Sequence, residues 1–312
     1  MDQAGGTLTL VGDIGATNTR LALARGGIPL PGSAARLATR AHDTPEAMLG
    51  SYLRGQEARP EAACLAVAGP VRGGTAWMRN RGWQMDASSL SGALGFDHVE
   101  LINDLQAQAL ALDRLTPAAQ DPLLDGRTEA GAACLVLGLG TGVNCAVAYA
   151  VPQAALPLVP PSEAGCMAMP VWDAPSLRLS DWLRAGAGGA SLEHALSARG
   201  LARLWTFAGG HGRPAPEEVL TACAAGEGHA VQALTLYAQI LGHAARDLAL
   251  AYLALGGVWL AGGLARAVAP HLRRSGFAEA FRADPLTQAV PVRVIADDAA
   301  AVLGCARRCA AL

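Results

Sequence analysis

The residues of this 312-residue chain that could carry chemistry fall into short groups along it. The first is Asp13-Ile14-Gly15-Ala16-Thr17-Asn18-Thr19-Arg20, an acid at the end of an apolar run followed by glycine and hydroxyl residues. Such a turn suits a triphosphate with its metal. Gly15 lets backbone come close, Thr17 and Asn18 offer donors, and Asp13 can hold hydrated Mg²⁺. The same octapeptide would also serve as an ordinary hairpin whose Asx and Thr side chains bond their own backbone. A second Gly/Thr turn, Gly138-Leu139-Gly140-Thr141-Gly142, follows another apolar run and can grip phosphates from an opposite wall.

Gly262-Gly263 sits between a predicted strand and helix, where bare backbone can approach a base or ribose, or where the turn simply needs glycine. Leu101-Ile102-Asn103-Asp104 puts an amide and a carboxylate at the C-terminal end of a buried strand, the edge at which open α/β sheets bind ligands. In phosphoryl transfer to an alcohol, Asp104 could orient the hydroxyl and take its proton while Asn103 binds a neighbouring hydroxyl. Both residues are also good helix caps. Glu163 and Glu193 could accept from sugar hydroxyls or stand as solvated surface acids.

Composition narrows the chemistry. All 24 basic residues are arginine, which removes lysine Schiff bases and the lysine of a Walker-type phosphate loop. The net charge is −2 with both signs interspersed, so no footprint for nucleic acid or an anionic membrane is visible. With 16% charged and 52% hydrophobic residues the chain should fold as a globule. Its seven cysteines include no CxxC pair and are expected as reduced core residues. Residues 1–6 lack a leader pattern and no run is membrane-spanning, so a soluble, cytoplasmic protein is expected.

The elements that must position these groups alternate. Strands are predicted at 7–12, 20–24, 62–68 and 99–102, with helices at 44–56, 88–94 and 104–112. A Pro/Asp/Gly-rich stretch at 115–131 then gives way to strands at 134–137 and 144–150 around the second turn. After an irregular passage at 152–175 come a long helix at 229–255, a strand at 258–261, a helix to 274, a strand at 292–296 and a last helix ending near 310. This is an α/β pattern, and two strand-turn-strand units built on Gly and Thr suggest internal duplication. The domains are read as 1–112 plus about 297–312, and 113–296.

In this order the pieces resemble the bacterial glucokinase family of the actin, Hsp70 and sugar-kinase superfamily. Residues 10–23 are similar to its first phosphate motif, 66–104 to the stretch ending in the catalytic Asn-Asp, 137–147 to the second phosphate motif, and 256–264 to the adenosine motif. Val67-Ala68-Gly69-Pro70-Val71, Asn80 with Trp83, and Leu94-Gly95-Phe96 match further landmarks. The resemblance implies two RNase H-like (actin-like ATPase) domains with an interdomain cleft that closes, the last helix returning to the first domain, and a homodimer. It implies ATP and Mg²⁺ as cofactors and glucose or a similar hexose as substrate, phosphorylated at the 6-hydroxyl.

By position, Asp104 would be the general base, and Asn103, Glu163, Cys166 and Glu193 would meet the sugar. Asp13 would position Mg²⁺, with Gly15, Thr17, Asn18, Gly140 and Thr141 toward the phosphates and Gly262 and Gly263 beside the adenosine. Five departures accompany this pattern. Cys166 stands where the family's sugar loop carries histidine, Ala16 and Asn144 where its turns carry glycine, Ser197-Ala198-Arg199-Gly200 where it carries Ser-Gly-x-Gly, and Asp297 to Gly304 lacks its Asn-Pro-Gly segment. A feeble kinase acting as a sugar-binding regulator, or a kinase for another small sugar, are the alternatives those departures raise.

Overall fold

The computed structural model describes residues 6–78 and 81–311. Asn80 lies outside them, as do residues 1–5, most of the stretch read for a leader. The chain divides into two units. The first holds the described residues up to Thr116 together with Ala150–Pro161 and those from Asp297 on; the second holds Pro117–Tyr149 and Ser162–Ala296. The sequence reading put 150–161 with the second domain. It groups with the first because Gln106 Nε2 donates to the Val159 carbonyl at 2.7 Å and Arg307 to that of Ala155 at 3.4 Å.

The first unit begins with the hairpin β1 (Leu8–Ile14) and β2 (Asn18–Arg25), then β3 (Ile28–Pro29), β4 (Ala35–Ala38), α1 (Pro45–Arg54) and β5 (Ala62–Val67). A small antiparallel sheet follows, β6 (Val71–Arg72), β7 (Thr75–Met78) and β8 (Trp83–Asp86), before α2 (Ala87–Leu94), β9 (His98–Asn103) and α3 (Asp104–Ala111). In the second unit come β10 (Gln120–Leu124), β11 (Cys134–Leu139), β12 (Val143–Ala148), α4 (Ala174–Ala187), α5 (Leu192–Leu196), α6 (Ala198–Phe207) and α7 (Pro216–Ala224). They are followed by α8 (Gly228–Ala251), β13 (Gly257–Ala261), α9 (Gly263–Leu272), α10 (Phe277–Phe281) and β14 (Val292–Ile295), and α11 (Ala300–Cys309) belongs to the first unit again.

The two main sheets share one plan. In the first unit β2 pairs antiparallel with β1, which runs parallel to β5 and through it to β9. In the second, β12 pairs antiparallel with β11, which runs parallel to β13 and through it to β14. Each therefore opens with a hairpin whose turn lies at the C-terminal edge of the parallel strands.

Strand alternation sorts the first unit's core into two layers. Leu10, Leu23, Leu65 and Leu101 face one way, onto Met48 and Leu49 of α1 and Leu90 of α2. Val11, Ala22, Cys64 and Ala66 face the other, onto Ala107 and Leu110 of α3 and Ala301, Cys305 and Cys309 of α11. The small residues on this second face let helices come close: a Cβ on Gly304 of α11 would overlap the Ala107 carbonyl. The end of α11 is tied to β9 by Arg308, whose Nε and Nη2 both donate to the Glu100 carboxylate. In the second unit, Ala233, Tyr237, Leu241, Ala244 and Leu248 recur at helical spacing along α8 and share one cluster with Leu135, Leu137 and Cys145 of the sheet.

Several boundaries differ from the sequence reading for physical reasons. β1 runs to Ile14, so Asp13 is a strand residue rather than a turn residue. The predicted helix to 255 ends at Ala251, where the apolar run continues but Leu253 takes a left-handed φ of 46°. β10 falls inside the Pro/Asp/Gly-rich stretch at 115–131, where no strand is predicted. It is an edge strand bulged at Pro122, the place where a sheet tolerates proline. All seven cysteines are free, with Cys64, Cys145, Cys305 and Cys309 buried and Cys166 exposed. Among the described residues no helix is long and apolar enough to cross a membrane.

Candidate active site

On the first unit, the C-terminal edge of the parallel strands gathers the acids. Ile14, Val67 and Asn103 are in register across β1, β5 and β9, so Asp13 and Asp104 flank one line at that edge. Asp13 pairs across the hairpin with Arg20, whose guanidinium lies 3.4 Å from Asp13 and 2.7 Å from Asp298. Burial pushes the Asp13 carboxyl up to about 6; the Asp298 charge adds to this while Arg20 opposes it. Asp104, in the first turn of α3, is pushed up to about 7, by burial first and the charge of Asp13 second. Its Oδ1 accepts from the Leu105 amide at 3.0 Å. These are the features of a carboxylate poised to exchange a proton near neutrality.

Asn103 caps α3. Its Oδ1 accepts from Leu105 N–H at 3.0 Å, its Nδ2 donates to the Gly69 carbonyl at 3.1 Å, and its backbone N–H donates to Gln106 Oε1 at 3.1 Å. The capping and binding readings are therefore compatible: the cap fixes the amide at the edge beside Asp104. Gly69 belongs to the Val67 to Val71 landmark, and a Cβ there would overlap the Trp77 carbonyl. The landmark glycine thus serves the close pass of the chain beside β7.

The hairpin turn is braced from outside. Thr39 Oγ1 donates to the Gly15 carbonyl at 2.8 Å and meets buried Thr19 Oγ1 at 2.9 Å, while the Thr39 amide donates to the Thr17 carbonyl. A Cβ on Gly15 would lie 2.8 Å from the Asn18 carbonyl, so the hairpin itself demands glycine there. Thr17 is exposed in the turn, and Asn18 Oδ1 accepts from Arg36 at 3.3 Å.

On the second unit, β11 and β12 hold the turn at Gly140, Thr141 and Gly142, with Thr141 and Gly142 exposed. The Gly140 carbonyl accepts from the Ala198 amide at 2.8 Å, which ties the turn to the start of α6. Glu193, on α5, approaches this turn: a Cβ on Gly142 would lie 3.2 Å from its Oε2. Arg199 stands 3.6 Å from the other carboxylate oxygen. Glu163 and Cys166 are exposed on a short 3₁₀ turn, and Leu192 N–H donates to the Met167 carbonyl at 2.8 Å, joining that loop to α5. The structure thus brings Gly140, Thr141, Glu163, Cys166 and Glu193 to one region of the second unit. Gly262 has a φ of 98° and would clash with the Leu139 carbonyl if it bore a Cβ, so the turn demands it; Gly263 faces open space.

Arg20 and Asp298 escaped the sequence reading as site residues. Arg20 carried a signal, because a hairpin turning between residues 16 and 17 places 20 opposite 13. Asp298, 278 residues from Arg20, carried none. Among the described residues no group of three or more His, Cys, Asp or Glu could hold a metal alone. One carboxylate, Asp13, nevertheless suits Mg²⁺, which keeps several waters and is commonly held by one or two carboxylates together with substrate phosphates.

The comparisons with known proteins match this frame. The Glucokinase family model matches residues 10–311. The chain belongs to the glucokinase family. It is similar to the glucokinase of Mesorhizobium japonicum, 33% identical over 95% of this chain and 90% of the relative, and to that of Marinobacter nauticus, 32% identical over 96% of each. Its fold is similar to the crystal structure of a glucokinase from an Antarctic psychrotroph, with a TM-score of 0.86, 27% identity and coverage of 97% and 99%. A Balamuthia mandrillaris glucokinase solved in complex with glucose shares the fold at a TM-score of 0.77 and 21% identity, covering 98% of this chain and 94% of that one.

Two departures from the glucokinase pattern have a structural account. The Ala16 methyl packs against the core under α1 and α2. Asn144 is taken up by a neighbouring loop, described below.

Proposed function

We propose that this glucokinase-family chain transfers the γ-phosphoryl group of ATP to the 6-hydroxyl of glucose or a similar aldohexose, giving glucose 6-phosphate and ADP. The observation that carries the reading is the Asp104 carboxyl, pushed up to about 7 at the strand edge beside the Asp13 hairpin. Asp104 accepts a hydrogen bond from the acceptor hydroxyl, orients it and takes its proton. Asn103 holds a neighbouring hydroxyl through the valences its cap leaves open. Glu163 and Glu193 accept from other sugar hydroxyls, with Cys166 beside them. Thr17, Asn18 and Thr141 donate toward phosphates, Gly15 and Gly140 admit them, and Gly262 turns the chain so that Gly263 offers a bare face to the adenosine. Mg²⁺, when bound with ATP at Asp13, neutralises phosphate charge.

We take the enzyme as a cytoplasmic homodimer, as the resemblance implies. The test is ADP release with MgATP over a panel of hexoses, with light scattering for the oligomer. Glucose-dependent release supports the reading; no sugar-dependent release across the panel overturns it.

Two further outcomes are expected. Because the base form of Asp104 is required, kcat/KM for glucose should fall about tenfold per unit as pH drops below about 7. A profile flat down to pH 5 would remove Asp104 as the base. Cys166 is a weak donor, and Cys166→His should lower KM for glucose by about 3–10-fold, the worth of one ordinary hydrogen bond. Initial rates across glucose concentrations measure it, and an unchanged KM would place Cys166 outside the sugar site.

A further inference from the structure

Asn144 stands on β12 directly opposite Gly138, and the function proposed above does not use it. Its side chain makes three hydrogen bonds. Nδ2 donates to the Ser162 carbonyl at 2.6 Å, and Oδ1 accepts from Cys145 N–H at 2.8 Å and from Ala164 N–H at 2.9 Å. Ser162 Oγ shares the Ala164 N–H at 3.2 Å and lies 3.5 Å from Cys145 Sγ. One residue further, Gly165 passes so close to β12 that a Cβ would overlap the Val143 carbonyl.

The amide of Asn144 therefore grips the loop on both sides of Glu163, at the carbonyl before it and the N–H after it. Glu163 itself is exposed, with φ −131° and ψ 46°, outside the helical and extended regions. Without the clamp, the Ser162 carbonyl and the Ala164 amide lose their amide partner, and the torsions around Glu163 regain freedom that must be surrendered when a ligand binds.

We propose that Asn144 is a positioning residue that holds Glu163 in its ligand-binding orientation, so that the second phosphate turn and the Glu163 loop move as one piece. This rests on the reading of that loop as a sugar site. Asn144 does not touch substrate and acts only through the loop.

The test measures glucose and ATP separately in Asn144→Ala and Asn144→Gly. Both variants should raise KM and the calorimetric Kd for glucose by about 10–30-fold, as expected for loss of two hydrogen bonds and an ordered loop. KM for ATP should stay within about twofold, because the backbone of the Gly140 turn is unchanged. Amide hydrogen exchange at Ala164 should quicken in both variants, a readout independent of activity.

An unchanged glucose Kd with faster exchange overturns the proposal, as does equal weakening toward both substrates, which marks a merely structural residue. An effect confined to Asn144→Gly would also overturn it, since strand flexibility rather than the lost amide would then be the cause. A parent protein that binds and phosphorylates no sugar overturns the functional reading instead, and the exchange data still report whether the clamp exists.

Discussion

Asp104→Asn is expected to lower glucose-dependent ADP release by about 10³-fold while nucleotide affinity stays within about twofold, the range general-base removal commonly produces. The amide keeps an acceptor for Leu105 N–H, so α3 should retain its first turn. The same substitution should stabilise the protein. Asp104 has its folded pKa raised from 3.8 to about 7, so between those values the native state binds more protons than the unfolded chain and stability declines as pH rises. The penalty is absent below about pH 4 and complete above about pH 7. Allowing for partial exposure and the lost interaction of a carboxylate with the helix start, Asp104→Asn should gain about 1–2 kcal/mol at pH 8. Melting curves at pH 8 and pH 4.5 should show a rise in Tm at the first and little change at the second. Loss of activity without that pH-dependent gain would mean Asp104 is not held against its ionisation.

Gly304→Ala should destabilise the protein by about 2–4 kcal/mol, because the added methyl runs into backbone that cannot swing aside. Its neighbours would be the carbonyl oxygen, carbonyl carbon and Cα of Ala107. Alanine gains about 1 kcal/mol of helix propensity over glycine, and the overlap outweighs it. A control separates the two effects. Gly92, inside α2, has nothing within 4 Å of where its Cβ would stand, so Gly92→Ala should raise stability by about 0.5–1 kcal/mol. Denaturant titration of both variants decides the matter: stabilisation by both would show that α11 and α3 have slack between them. Because Asp104 heads α3, Gly304→Ala should also depress activity in the folded fraction.

Much of this architecture was legible because apolar runs and glycine punctuation are local signals. The hairpin around Gly15, the strand ending in Asn103 and the glycine turns could be placed from residue types alone. The roles of the glycines were less legible. Gly15 and Gly262 lie against carbonyls of their own unit, Asn18 and Leu139, whereas residue types alone left open whether these glycines serve the turn or a ligand. β10 was missed because its proline reads as a breaker, and only its edge position makes it tolerable. Arg20 and Asp298 meet through tertiary folding, and their effect on Asp13 is an environmental quantity that sequence does not carry. Asn144 could be recognised only as a departure, since its meaning lies in a loop reached eighteen residues later.

The placement of α11 has a consequence for how the protein is made. One layer of the first sheet, with Val11, Cys64 and Ala66, is covered partly by a helix that leaves the ribosome after the whole second unit. At ordinary elongation rates the interval is on the order of 10–40 s. During translation, the earlier strands must therefore wait with an oily flank uncovered, while the later unit already has nearly all it needs to mature. A nascent chain arrested before residue 300 should be a client for holdase chaperones, and release of α11 should end that dependence.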